Sequence, residues 1–329
     1  MYHDLKRPTF LLTQILSRTS SFAFANTVSS LNNISTPLLQ NNFQQLPFTS
    51  FASSNMTRAP VICISHGGGP LPVLGDPMHK DIIKSLQTRV PELLELGTPE
   101  APRAIVLVTA HWSERNPTIS SGSKHSLFYD YYGFPPESYK LKYDAPGSPE
   151  VAKEVAAALK EVGLKPELDE TRGWDHGVFI PMLLINPAAD IPVVQLSVLE
   201  SESPADHFGM GRALASLRDS NVAIVGSGFA SFHNLRLMFS GIMGDPAFKQ
   251  RSDAWSKAVG EAVLEKTVEE REEKVKEWRK WPGAYEMHPR GGAEHFLPLV
   301  VCAGAGGEGQ GGSYKDSFNG LDMYSYFWA

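Results

Sequence analysis

The sequence predicts a single α/β domain, built on a central, mostly parallel or mixed β-sheet with helices on both faces. Three observations carry this. Four short runs are apolar almost throughout and rich in β-branched residues, as strands buried on both faces are. Helical patterns separate them, the alternation of an open α/β sheet. Three of the four runs lead directly into polar, histidine-bearing turns, and open α/β sheets gather their ligand sites at such strand ends.

In chain order, the first run is Val61-Ile62-Cys63-Ile64, ending at Ser65-His66-Gly67-Gly68-Gly69. Cys63 lies inside it and is expected to be buried and inert. A helix is expected over about 78–95. The second run, Ala104 to Thr109, ends at Ala110-His111-Trp112. A helix over about 149–162 follows, entered at Pro149-Glu150, where proline presets the first helical turn. The third run is Val193 to Val198, with a helix over about 204–218 behind it. The fourth, Val222 to Val225, ends at Gly226-Ser227-Gly228. Residues 247–280 read as helical. Their charged part from Glu265 reads as a solvated face, with Trp255, Trp278 and Trp281 packing it down. Gly304 to Gly312 reads as a mobile loop, and without GxGxxG spacing it gives no nucleotide site. Met323 to Trp328 is aromatic and adds a terminal strand. Residues 1–58 have little periodicity and one acidic residue, Asp4. They read as a disordered extension, with a basic, Ser-rich targeting segment or a stretch upstream of a start at Met56 as alternatives. The catalytic domain is then 59–329, cytoplasmic, or mitochondrial if the extension is a presequence.

Composition narrows the function. A chain of 329 residues is long enough for a substantial core. With 42% hydrophobic and 20% charged residues it is not a disordered chain. A formal net charge of −6 gives no electrostatic case for nucleic acid or an anionic membrane. No apolar run reaches the roughly 18 residues of a membrane span. Two cysteines exclude a disulfide framework and a cysteine zinc finger. Any metal is therefore held by histidine and carboxylate.

His66 and His111 stand just past strand ends, and His233 follows the Gly226-Ser227-Gly228 turn. His176 lies in Trp174-Asp175-His176-Gly177, with Asp175 a candidate orienting partner. His288 and His295 bracket Pro289-Arg290-Gly291-Gly292-Ala293-Glu294. Each alone reads as structural, but together, in glycine-rich turns, they point to a metal or proton-transfer site. His288 is assigned to loop shape; Arg290 is a candidate partner for a substrate carboxylate. His3, His79, His125 and His207 lack motif context and read as surface. Three imidazoles with an open position suit catalytic zinc or a non-haem ferrous centre, and spacing does not choose between them.

The same motifs, in order, resemble the class III extradiol aromatic ring-opening dioxygenases, in the branch named for DOPA 4,5-dioxygenase. The matching segments are Ile64 to Pro70, Thr109 to Trp112, Trp174 to Gly177, Gly226 to Gly228 with His233-Asn234-Leu235, and His288-Pro289 with Glu294-His295-Phe296. Phe128 to Pro135, followed by Tyr143 to Gly147, is a further match. The first motif departs from the His-Gly-Ser-Pro of many relatives by reading His-Gly-Gly-Gly-Pro. The resemblance implies that His66, His111 and His295 bind the metal, with Glu294 the alternative third ligand. It implies that His233 is the acid/base and that His176 contacts the substrate. Trp112, Tyr129 and Asp175 would line the pocket. It also implies Fe(II) for turnover, with Zn(II) in the isolated protein, and a small-molecule catechol and O2 as partners of a monomer or small homo-oligomer. The product would be a muconic semialdehyde. Two rivals stay open: a zinc-dependent hydrolase on the same three histidines, and a catalytically silent metal or small-molecule binder.

Overall fold

The computed structural model describes residues 58–329. The expectations for a disordered or targeting extension fall outside the described residues, apart from position 58.

The four apolar runs are the four central strands: β1 (Val61–Ser65), β2 (Ala104–Glu114), β5 (Val193–Leu199) and β6 (Val222–Gly228). They lie parallel in the order β5-β2-β6-β1. Residues 105–108 of β2 are fully buried, as continuous apolar strands covered on both sides must be. Short β3 (Thr118–Ser120) and β4 (Glu167–Asp169) extend one edge, with β3 antiparallel to β5. The expected terminal strand is β8 (Leu321–Trp328), antiparallel to β1, and β7 (Gly312–Phe318) pairs with it as a hairpin. The sheet is therefore mixed, with parallel strands at its centre.

The helices are α1 (Lys80–Gln87), α2 (Arg89–Leu93), α3 (Pro149–Glu161), α4 (His176–Ile185) and α5 (Pro204–Leu214), then α6 (Leu235–Met238), α7 (Pro246–Val263), α8 (Val268–Lys276), α9 (Ala284–Met287) and α10 (Leu297–Ala305). Ser148 caps α3 at the expected entry, accepting from the Val151 N–H at 3.2 Å. The helix expected over 247–280 is two helices. Thr267 accepts from the Glu270 N–H and donates to its carboxylate, a reciprocal cap that restarts the chain as α8. The helix expected over 78–95 likewise breaks at Thr88, whose backbone is not helical. Trp255 and Trp278 are fully buried and hold this charged segment to the body.

Helices cover both faces. Alternate residues of a strand point to opposite faces, and β6 uses this at its end. A Cβ on Gly226 would lie 2.6 Å from the Cys302 sulfur, and one on Gly228 2.4 Å from the His295 carbonyl oxygen. Neither can exist, so α10 and the segment before it pack directly on the strand. Ser227, between the two glycines, faces the other way and donates to the Gly177 carbonyl of α4. The loop expected to be mobile is pinned. Buried Arg271 donates to the carbonyls of Ala303, Gly307 and Gly309. Buried Arg218 donates to Ala305 and Gly306, and also reaches Ala59 at 2.6 Å and Trp328 at 3.4 Å. These carbonyls at the end of α10 have no intrahelical partner, and each guanidinium has donors enough for several.

Candidate metal centre

Three strand ends and two loops bring five imidazoles together. His66 leaves β1 through Gly67, at φ 86°, where a Cβ would lie 2.3 Å from the Pro72 ring. His111 stands on β2 itself, and His176 opens α4. His233 follows β6, with its backbone N–H bonded to the Met287 carbonyl at 3.0 Å. His295 precedes α10, and its carbonyl accepts from the Phe229 N–H at 2.9 Å, tying that segment to the end of β6.

The Nε2 atoms of His66 and His111 are 3.2 Å apart, and so are those of His111 and His295. The Nδ1 side of each ring decides what those Nε2 atoms carry. Ser227 spends its proton on Gly177, so it accepts from His66 Nδ1–H at 3.0 Å. The Glu294 carboxylate accepts from His295 Nδ1–H at 3.0 Å. His111 Nδ1 faces the Asp130 carboxylate at 3.4 Å. Ser227 and the Glu294 carboxylate therefore place the protons of His66 and His295 on Nδ1 and leave their Nε2 atoms as lone pairs, and the Asp130 charge beside His111 Nδ1 favours the same form there. Burial first, then mutual repulsion among the rings, holds His66, His111 and His295 well below the ordinary imidazole range. Three neutral donors aimed at one another across 3.2 Å lack a proton to share, and a divalent cation is what such a set fits.

The other two rings border this set. His176 packs on His111 with centroids 3.8 Å apart and offers a ligand atom within 4.8 Å of those of His66 and His111. His233 stacks on His295 at 3.4 Å, and its Nδ1 lies 3.6 Å from Glu294. His233, Glu294 and His295 form a second such group. The grouping by reach thus puts His176 with His66 and His111. The Nε2 contacts put His295 there, and they are the tighter criterion because they fix which atoms face which.

The remaining pocket expectations are corrected. Asp175 does not orient His176 and lines no pocket. It is fully buried and accepts from Thr109 and Gln195, each at 2.7 Å. Burial, then the Asp130 charge, raises its carboxyl to about 6. Trp112 is engaged elsewhere: its indole N–H donates to Glu114 at 2.8 Å and its ring lies under Arg172. Tyr129 is one ring too far back. Its hydroxyl donates to Leu141, and Tyr131 stands between it and the cluster, 5.8 Å from the His176 ring. Arg290 lies over Tyr285, 4.5 Å from its centroid. His79 and His207 are buried rather than on the surface. His79 bonds Asp76 and the Gly68 N–H, bracing the turn after His66, while His207 joins Ser203 to the Leu199 N–H. His288 donates from Nε2–H to the Ala230 carbonyl at 3.0 Å, inside the tryptophan cluster.

Two carboxylates were missed. Asp130 Oδ1 accepts from both the backbone N–H and Nδ1–H of His176, at 2.9 and 2.8 Å. Its only sequence signal was its place in the aromatic motif Phe128 to Pro135. Glu202 accepts from the Gly291 and Ala293 N–H groups and from Arg279, clamping the loop that delivers Glu294 and His295. Nothing in the sequence pointed to it.

Residues 60–327 match the family described as the catalytic LigB subunit of aromatic ring-opening dioxygenase. The chain is 52% identical over 285 residues to dioxygenase tasH of Hapsidospora irregularis, covering 84% of this chain and 87% of that one. It is 33% identical over 247 residues to the 4,5-DOPA dioxygenase extradiol of Beta vulgaris (74% and 86% covered). With the 4,5-DOPA dioxygenase extradiol of Escherichia coli K12 it shares 34% over 266 residues (76% and 86% covered). The fold matches the crystal structure of an uncharacterized Escherichia coli K12 protein with a TM-score of 0.64 and 30% identity, over 83% of this chain and all of that one. The family is non-haem and metal-dependent, and its reaction takes a small-molecule substrate and O2. The histidine-rich end of this sheet belongs to a chain of that kind, a member of the LigB family of aromatic ring-opening dioxygenases.

Proposed function

We propose that residues 59–329 form an extradiol dioxygenase that opens a catechol ring, DOPA or a close analogue, with Fe(II) held by Nε2 of His66, His111 and His295. The observation that supports it most is the meeting of His111 Nε2 with the Nε2 atoms of His66 and His295, each at 3.2 Å. Ferrous iron held by these three residues would let the diol and O2 react on one centre. The protein supplies the rest. Three neutral imidazoles leave the cation's charge uncompensated, which favours a substrate that binds as an anion. His233, with Nδ1 toward Glu294, presents Nε2 to take a catechol proton and later return one. His176, held by Asp130, borders the set and orients the diol. Buried Phe229, 5.5 Å from the His66 ring and 6.5 Å from His233, supplies an apolar wall for an aromatic ring.

The test is anaerobic loading with Fe(II), then L-DOPA or simple catechols in air, following oxygen uptake and a new visible band together. Uptake matched by the band supports the reading. Absence of uptake at full iron, with anaerobic hydrolysis by the Zn(II) form, would establish the hydrolase instead. Neither activity would leave a silent binder.

A further inference from the structure

We propose that Asp130 is a positioning residue that fixes His111 and His176 as a pair, so that both rings present Nε2 to the metal site. This rests on the metal reading above. The Asp130 carboxylate is 13% exposed and spans the two rings: Oδ1 takes both N–H groups of His176, and Oδ2 faces His111 Nδ1 at 3.4 Å. Its place is built by the chain around it. Phe128 N–H bonds the Trp174 carbonyl at 2.7 Å, and Trp174 N–H bonds Ser126 at 2.9 Å, so the segment before Asp130 is strapped to the residues before His176. The hydroxyls of Tyr129 and Tyr131, on either side, donate to Leu141 and Ser138, each at 2.7 Å. Asp175 holds the N-cap position of α4 but makes no cap with its side chain, so Asp130 takes that role at the positive end of the helix.

The consequence is tautomeric. A free imidazole carries its proton on either nitrogen, and a ring with Nε2–H cannot ligate through that atom. A carboxylate on the Nδ1 side selects the competent form and fixes the ring plane, and losing such a partner typically costs about 10–100-fold in metal affinity. Asp130→Asn separates the two tasks. Its amide oxygen keeps the His176 bonds, while its NH2 replaces an acceptor beside His111 with a donor and favours the wrong tautomer. Asp130→Ala removes both.

The full chain and both variants would be titrated with Co(II) against a competing chelator, following the ligand-field absorbance, with circular dichroism as the fold check. We expect Asp130→Asn to bind Co(II) about 10–100-fold more weakly with an unchanged fold. At saturating Fe(II), Asp130→Ala alone should also raise the KM for a catechol, because only it releases His176. Binding by folded Asp130→Asn as tight as the parent's overturns the proposal; should Asp130→Ala not fold, Asp130→Asn still decides. A parent that binds no Co(II) would overturn the metal reading itself, and this one with it.

Discussion

Asp130 and Glu294 each stand between a proposed ligand and a pocket histidine, and they grip opposite members of the pair. Asp130 bonds the pocket ring, His176, twice and faces His111 from 3.4 Å. Glu294 bonds the proposed ligand, His295, at 3.0 Å and faces the pocket ring, His233, from 3.6 Å, beyond hydrogen-bond range. The same three parts therefore give two behaviours. His176 is held in place and oriented, as a ring that positions a substrate should be. Among the described residues His233 has no side-chain hydrogen bond; it stacks on His295 and is tied through its backbone, which leaves its ring the freer of the two. The difference fits the proposed division, with positioning at one arm and proton movement at the other.

The largest effect should come from testing that division. His233→Ala is expected to lower kcat about 10²–10⁴-fold with iron occupancy unchanged. His176→Gln should act mainly on the KM for a catechol, measured at full iron. A greater kcat loss from His176→Gln than from His233→Ala would break the comparison. Next, Glu294→Ala should weaken Co(II) binding about 10–100-fold, because the grip on His295 is lost. Normal Co(II) affinity in that variant would show that Glu294 serves His233 alone.

A smaller effect is expected one step further out, at the loop clamp. Glu202→Ala leaves the Gly291 and Ala293 N–H groups and Arg279 without their acceptor. Thermal or urea unfolding should show a loss of about 1–3 kcal/mol, and Co(II) affinity should fall with it. Unfolding without any change in Co(II) binding would mean the clamp supports the body and not the Glu294 arm.

The smallest effect separates acid sensitivity of the fold from that of the site. Burial lowers His207 and His288 to about 4. Their unfolded value is about 6.5. Between those values the unfolded chain takes up protons that the folded protein refuses, so stability falls as pH drops from about 6.5 toward 4. Each should cost about 1–2 kcal/mol by pH 5. Urea midpoints at pH 7 and pH 5 should separate less in His207→Gln than in the parent; an equal separation would clear His207 of that role.

What could be read in advance was local. His66 and His111 close apolar runs and His233 follows the Gly226-Ser227-Gly228 turn by five residues, so strand, turn and donor lie close together in the chain. The carboxylates were not legible, because Asp130 meets His176 across 46 positions and Glu202 meets Ala293 across 91. Buried His79 and His207 read as surface because their nearby partners, the Asp76 carboxylate with the Gly68 N–H and the Ser203 carbonyl with the Leu199 N–H, form no recognisable motif. Helix α4 escaped because Val178 to Ile185 is apolar on every side and holds Pro181, so no amphipathic period marks it. Asp175 was misread by adjacency: it neighbours His176 in the chain, but its carboxylate turns into the core toward Thr109 and Gln195.

Arg218 has a use for the engineer. One guanidinium reaches both Ala59 and Trp328, and Val61 stands opposite Trp328 in the sheet. Strands separated by most of the chain are thus next-door neighbours. A short glycine-serine linker could join position 329 to position 58, and the chain could be cut open at the exposed, left-handed turn of Gly163. Such a circular permutant should fold and bind Co(II) like the parent. It would move the new ends to the loop between α3 and β4, a place to attach a surface or a second enzyme.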